Sequence, residues 1–243
     1  MRLGLALVLA CHGSSTSTST STILDGAPEL ITAVADDLTS TTVTLRRYTR
    51  AGGSWRLVGD PWPAVIGNTG LAWGDGLHGL GAPPGRGGPV KHEGDGKTPA
   101  GAFAIRGAFG YAPSAPAGAR LAYTPLDARW ECVDDPASAQ YARIVDRSRV
   151  AVDWTSAEKM RRDDALYSWV IDIAHNAPGA RDRGSCIFFH VWSGPDSTTL
   201  GCTAMAAPRL AELVATLDPH AVYVVLARRD YDALAPAWRL PSL

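Results

Sequence analysis

From Trp62 to Pro99 the chain is so crowded with glycine and proline that no helix can persist there. That punctuation breaks the chain into short pieces, and the pieces on either side favour strands. Val43–Tyr48 and Ser54–Val58 both alternate apolar with polar residues and are separated by Arg50-Ala51-Gly52-Gly53, a hairpin signal in which glycine supplies positive φ. Further strands are expected at Gly101–Phe109, Leu121–Leu126, Trp130–Val133, Tyr141–Val145, Trp169–Ala174, Cys186–Trp192 and Ala221–Ala227. Pro208–Leu217 instead repeats Leu210, Leu213, Val214 and Leu217 along one helical face, with proline near the first turn. Ser156–Leu166 is charged and predicts a second helix, capped by Ser156 with Met160 and Leu166 as apolar contacts. Ile23–Leu38, with Pro28 and paired acids, reads as a turn-flanked helix or coil. Many short strands with few helices predict a mainly β domain with inserted helices, of sandwich or barrel-like architecture.

The rest of the composition narrows the function classes. A net charge of −1 with no basic stripe argues against nucleic acid as a partner, and no apolar run is long enough to span a bilayer. The N-terminus is distinctive. Met1-Arg2 and the apolar stretch Leu3–Ala10 have the order of an export signal, and Leu7-Val8-Leu9-Ala10-Cys11 looks like the lipobox of bacterial lipoproteins. Cys11 is the expected lipid anchor, with soluble export from an ordinary signal peptide as the alternative. Ser14–Thr22 contains only serine and threonine, a hydrated tether rather than a core. The expected organisation is a signal and lipobox over 1–11, a tether and linker over 12–41, and one globular domain over 42–243, held at the membrane in the cell envelope.

The chemistry concentrates near the C-terminal end. Cys186-Ile187-Phe188-Phe189-His190-Val191-Trp192 reads as a strand that delivers a histidine, followed by a polar loop and Thr199-Leu200-Gly201-Cys202-Thr203 ahead of the Pro208–Leu217 helix. A thiol needs a base or an electropositive pocket to react at neutral pH, and an imidazole supplies the first. This pattern resembles the L,D-transpeptidase catalytic domain family, whose signature is a histidine on a strand, then Ser/Thr-His-Gly-Cys and a hydrophobic residue. The resemblance extends over roughly 42–229 and looks like a subgroup. Leu200 stands where the family usually has histidine, Ala204 where it has Arg or Asn, and the spacing from His190 to Cys202 is shorter than usual.

The resemblance implies a cysteine acyl transferase acting on peptidoglycan stem peptides, with transpeptidase, carboxypeptidase and cross-link hydrolase as variants of one chemistry. In it Cys202 is the nucleophile, His190 the base, Thr199 the family's Ser/Thr, and the backbone from Leu200 through Gly201 to Cys202 the oxyanion donor. No cofactor is implied. Gly94-Asp95-Gly96-Lys97-Thr98-Pro99-Ala100-Gly101 is similar to the family's Gly-Asp-x-x-Thr-Pro-x-Gly loop, which lines the groove. Lys91, His78 and Trp192 are the expected substrate-side residues. A non-catalytic wall-binding module on the same fold and a zinc-dependent wall hydrolase are the competing expectations.

Export makes unpaired cysteines costly to keep, so each of the four requires an explanation. With Cys11 assigned to lipid and Cys202 to chemistry, Cys132 and Cys186 are left as a candidate disulfide, against the alternative of two buried thiols. Metal ligation is not expected. On one strand Cys186 and His190 would lie roughly 13 Å apart, which leaves Cys202 and His190 with a third ligand such as His175 as a conceivable zinc set. Asp172, His175 and Asn176 are expected to form a buried polar contact near the site, and most of the tryptophans to sit in the core.

Overall fold

A computed structural model describes residues 23–243; Cys11, the preceding apolar stretch and the Ser/Thr run through residue 22 lie outside the described residues. Three strands open the domain: β1 (Glu29–Ala35), β2 (Thr42–Ala51) and β3 (Ser54–Val65). They form an antiparallel meander, and the β2–β3 turn places Gly52 at φ +58° and Gly53 at φ +82°, a region that residues with a Cβ rarely enter. The short strands β4 (Leu71–Trp73), β5 (Asp75–Gly76) and β6 (Gly79–Leu80) occupy the Gly/Pro-rich stretch before the long β7 (Thr98–Gly110). Next come β8 (Tyr123–Pro125), β9 (Trp130–Val133), β10 (Ile144–Asp146) and β11 (Ala157–Lys159). The chain closes with β12 (Trp169–Ile173), β13 (Phe188–Val191), β14 (Thr203–Met205), α1 (Ala207–Thr216), β15 (Val222–Ala227) and α2 (Arg228–Trp238).

The protein is mainly β, and eight of these strands close into a barrel. Its order is β12-β13-β14-β3-β2-β1-β15-β7, with β7 pairing back onto β12. Neighbours are antiparallel except β1–β15 and β13–β14, which run parallel. Closure removes the free edges that would otherwise template aggregation. Leu30, Ile31, Leu45, Phe103, Ile171, Phe189 and Tyr223 are buried in one contiguous core, with Phe189 and Tyr223 meeting edge to face at 4.6 Å. Each such side chain contributes about 1.5–3 kcal/mol of burial. α1 packs on β12 and β13 through Leu210, Leu213 and Val214, with Leu217 buried at its C-cap.

Two expectations about local structure are corrected. The segment over 23–38 is neither helix nor coil throughout: Glu29–Ala35 is a fully buried barrel strand, so the domain begins well before residue 42 and takes in the second half of the supposed linker. Pro28 and the acids favour a turn or helix locally, but Leu30-Ile31-Thr32-Ala33-Val34 pairs on both sides, with β2 and with β15. Ser156–Leu166 is not a helix either. Ala157–Lys159 pairs with β9, and beyond it Asp164 binds the Arg162 side chain and caps the Leu166 amide, local bonds that compete with helix formation. α2 lies past the last element read from the sequence and covers the barrel with Tyr231, Leu234 and Trp238.

Candidate functional site

β13 and β14 lie side by side and parallel, with His190 opposite Ala204, so the residue preceding β14 emerges beside the histidine strand. That residue is Cys202. Its loop is fixed by threonines. Thr199 Oγ1 donates to the Cys202 carbonyl at 2.7 Å and accepts the Gly201 N–H at 3.1 Å, while Thr98 Oγ1 donates to the same carbonyl at 3.2 Å. Gly201 sits at φ +152°, and a Cβ there would stand 3.0 Å from the Lys97 carbonyl. Only glycine fits this turn without displacement.

Cys202 and His190 line one pocket of about 350 Å³, together with Lys91, Glu93, Asp134, Glu158, Arg162, Tyr167 and Ser185. His190 Nδ1 is 2.8 Å from the Val191 carbonyl. A carbonyl can only accept, so Nδ1 carries the proton and Nε2 keeps a free lone pair. Burial brings the His190 pKa down to about 4, with the Val191 bond opposing and Arg162 adding to the shift, so the imidazole is neutral near pH 7. The Cys202 Sγ donates to the Cys186 carbonyl at 3.3 Å and accepts the Phe188 N–H at 3.3 Å. Burial pushes this thiol well up, and the Glu158 charge adds to it; the Phe188 amide and Lys91 pull the other way. The resting pair is therefore a thiol and a neutral imidazole, and the thiol must leave the Cys186 carbonyl to reach Nε2.

The pocket wall opposite is polar. The Tyr167 ring meets His190 edge-on at 5.3 Å. Burial holds the Glu158 carboxyl up to about 7, Tyr167 lowering it and the Asp134 charge raising it. Lys91 is buried, with its Nζ 2.6 Å from Asp95 Oδ1 and 2.7 Å from the His92 carbonyl. Cys132 and Cys186 are joined in a disulfide that ties β9 to the loop before β13. Cys186 itself has φ +55°, so the strand starts after it, at Phe188.

Lys91, Thr199, Gly201, Cys202 and His190 come together at this pocket, but two expected substrate residues do not. His78 is placed elsewhere: its Nδ1 accepts the Ala102 N–H at 3.1 Å, its Nε2 faces the Gly74 carbonyl at 3.1 Å, and the rings of Trp73, Phe103 and Trp238 surround it. Both ring nitrogens are occupied by the backbone, which makes it a structural histidine packed under β7. Trp192 follows β13 and bonds the Met205 carbonyl through its amide, outside the pocket lining. His175 likewise has both nitrogens engaged, one accepting the Asp75 N–H at 3.3 Å and the other 2.8 Å from the Arg183 carbonyl. It does not join Cys202 and His190, and the described residues contain no group of three or more His, Cys, Asp or Glu side chains able to hold a metal. Asp172 pairs with Arg106 at 2.9 Å rather than with His175.

Sequence reading did not single out Glu158, Asp134, Ser185 or Tyr167: the β9–β11 pairing places Glu158 and Asp134, the disulfide holds the loop of Ser185, and Tyr167 stands just before β12. Thr98 carried a signal, since it stands in the loop segment quoted above, but its bond to the Cys202 carbonyl depends on tertiary contact. No family model, curated protein or solved structure matches the chain.

Proposed function

We propose that the protein is a cysteine acyl transferase of the L,D-transpeptidase type, acting on peptidoglycan stem peptides from the cell envelope and anchored there through Cys11. The observation that carries this reading is the shared pocket of Cys202 and His190, with the His190 tautomer fixed so that Nε2 is free. In the reaction the Cys202 thiol turns from the Cys186 carbonyl to Nε2, passes its proton there, and attacks a peptide carbonyl to form a thioester. The Gly201 N–H is already donated to Thr199, so the Leu200 and Cys202 amides are the loop donors left for the tetrahedral oxyanion. The imidazolium then protonates the departing amine.

The test is incubation with purified disaccharide-tetrapeptides, with products read by mass spectrometry and Cys202→Ala alongside. Loss of the terminal residue or formation of a cross-link by the wild type alone supports the reading. Turnover by a well-folded Cys202→Ala protein overturns it, and binding of the stem without turnover assigns a wall-binding module instead. Detergent extraction of the full-length chain from a bacterial host, with Cys11→Ser as comparison, tests the anchor.

A further inference from the structure

Few large apolar side chains of this domain are left in water, and most of those converge on one corner. Among the described residues five stand exposed: Leu200 in the Cys202 loop, Val152 between β10 and β11, and Leu57, Leu77 and Leu80. The last three sit on two hairpins that meet at the C-terminal end of α2. Leu77 lies in the β5–β6 turn and Leu80, 79% exposed, on β6; between them His78 packs its ring 5.8 Å from that of Trp238. From the other side Trp55 Nε1 of β3 donates to the Arg239 carbonyl at 3.0 Å, and Leu57 follows two residues along the same strand. A lone exposed leucine needs no explanation, but apolar groups gathered round one junction mark an interaction surface.

The border of this corner is basic. Arg56 is exposed beside Leu57, Arg50 stacks on the Trp55 ring at 4.5 Å, and the Arg239 side chain, 66% exposed, faces Asp25 at 3.6 Å. The chain also enters the domain here: the Arg50 guanidinium donates to the Leu24 carbonyl at 3.0 Å, and Asp25 is the next residue. Cys11 precedes Leu24 by 13 residues, and a hydrated tether of that length reaches about 20 Å. A lipid at Cys11 would therefore bring this corner to the bilayer first.

We propose that this corner is a membrane-docking surface, seating the domain on a bilayer that carries anionic phospholipid. The three leucines enter the boundary between headgroups and acyl chains, while Arg56 and Arg239 lie at the phosphates. A guanidinium matches phosphate geometry and keeps its charge at any physiological pH. Attachment of this kind grows with apolar area and with attraction to anionic lipid, and one such signal alone is weak and reversible. The choice of a bilayer as occupant rests on the Cys11 anchor reading, which supplies the second signal; the binding itself needs no lipid on the chain. None of these leucines and arginines lines the Cys202 pocket, so docking sets how the domain sits without drawing on its catalytic groups.

The test is co-sedimentation of the chain from residue 12 onward, which keeps the whole described domain and lacks both Cys11 and the apolar stretch before it. Vesicles of equal parts phosphatidylglycerol and phosphatidylcholine are compared with vesicles of phosphatidylcholine alone. The protein should bind the anionic vesicles about tenfold more tightly, and added salt should weaken that binding. Leu77→Ser/Leu80→Ser should weaken it about tenfold, and Arg56→Ala/Arg239→Ala should erase most of the preference for anionic lipid. Val152→Ser, away from the corner, should change nothing, and melting curves check that each variant keeps its fold. Binding to neither vesicle, or undiminished binding by folded Leu77→Ser/Leu80→Ser protein, overturns the surface. So does a dimer in analytical ultracentrifugation that the leucine substitutions dissociate while vesicles stay empty, which assigns the corner to a second copy of the chain. Mass spectrometry of Cys11 in the full-length protein keeps the claims apart: an acylated Cys11 with no vesicle binding sinks the surface and leaves the anchor, and the reverse leaves the surface standing.

Discussion

Breaking the Cys132–Cys186 bond should cost the domain about 4 kcal/mol. The two residues are 54 positions apart in sequence. Releasing a loop of that length returns about 14 cal/mol/K to the unfolded chain, or about 4 kcal/mol at 25 °C in the chain-entropy model. For a domain of this size that corresponds to a fall in Tm of about 8–16 °C. The local effect is as informative. Cys132 lies in a buried cluster with Met160, Tyr167, Phe188 and Cys202, and the Cys186 carbonyl is the acceptor that holds the Cys202 thiol. Loosening Cys186 should therefore free the thiol as well as soften the fold. Thermal melts with and without dithiothreitol measure the first effect, and the alkylation rate of Cys202 by iodoacetamide measures the second. A Cys132→Ala/Cys186→Ala protein should melt like the reduced wild type, and Cys202→Ala should show the same reductant-dependent drop. A shift below about 1 kcal/mol would contradict the loop argument. Recovery of both cysteines as free thiols by non-reducing peptide mapping of the purified protein would remove the bond altogether.

Other outcomes follow from the same site. Because His190 is depressed to about 4, acylation by the wild type should stay level from neutral pH down to about 5 and fall as the imidazole is protonated below that, as a pH–rate profile would show. Stability has opposed contributions between about pH 4 and 7: His175 and His190, lowered to about 4, make the unfolded state bind more protons, whereas Glu158 and Asp172, raised to about 7 and 6, make the folded state bind more. The wild-type slope should be shallow there. Glu158→Gln removes one opposing group, and urea titrations should then show stability rising with pH by about 1.4 kcal/mol per unit more than in the wild type. Gly201→Ala forces a Cβ against the Lys97 carbonyl at an unfavourable φ and should destabilise by about 1–3 kcal/mol while slowing Cys202 acylation more than a surface alanine does. Thr199→Val leaves the Gly201 N–H without its acceptor and takes one of two threonine donors from the Cys202 carbonyl, a loss of about 1–3 kcal/mol. A double-mutant cycle with Thr98→Val should be non-additive, since both hydroxyls serve that carbonyl.

The strands that alternate or carry β-branched residues were legible: β2, β3, β7, β12, β13 and β15 all fall within or across the expected segments, as does α1 with its repeat of Leu210, Leu213 and Val214. Their periodicity reflects a face that must be buried, and that information is local. β1 was less clear because its seven residues are buried on both sides, which leaves no alternation to detect. β11 was misread because its pairing partner, β9, lies elsewhere in the chain and outweighs the helix preference of Glu158 and Lys159. At the site, Cys202, His190 and Gly201 stood out by residue type and order. Glu158 and Asp134 looked like ordinary solvated acids, and only the disulfide and the small three-stranded sheet carry them under cover. His78 misled for the opposite reason: a histidine in a glycine-rich loop reads as exposed, yet three aromatic rings and two backbone groups enclose it.

The parallel pairing of β1 with β15, which sets Leu30 beside Val222, constrains when the domain can fold. The ring cannot close until β15, nearly 200 residues after β1, has left the ribosome, because that strand completes it. Until then β1 has one side without its neighbour, and the contacts that stabilise it span most of the chain, a topology that folds slowly. A chain that stays open through synthesis leaves its β1 edge exposed, and that edge is the part most in need of a chaperone.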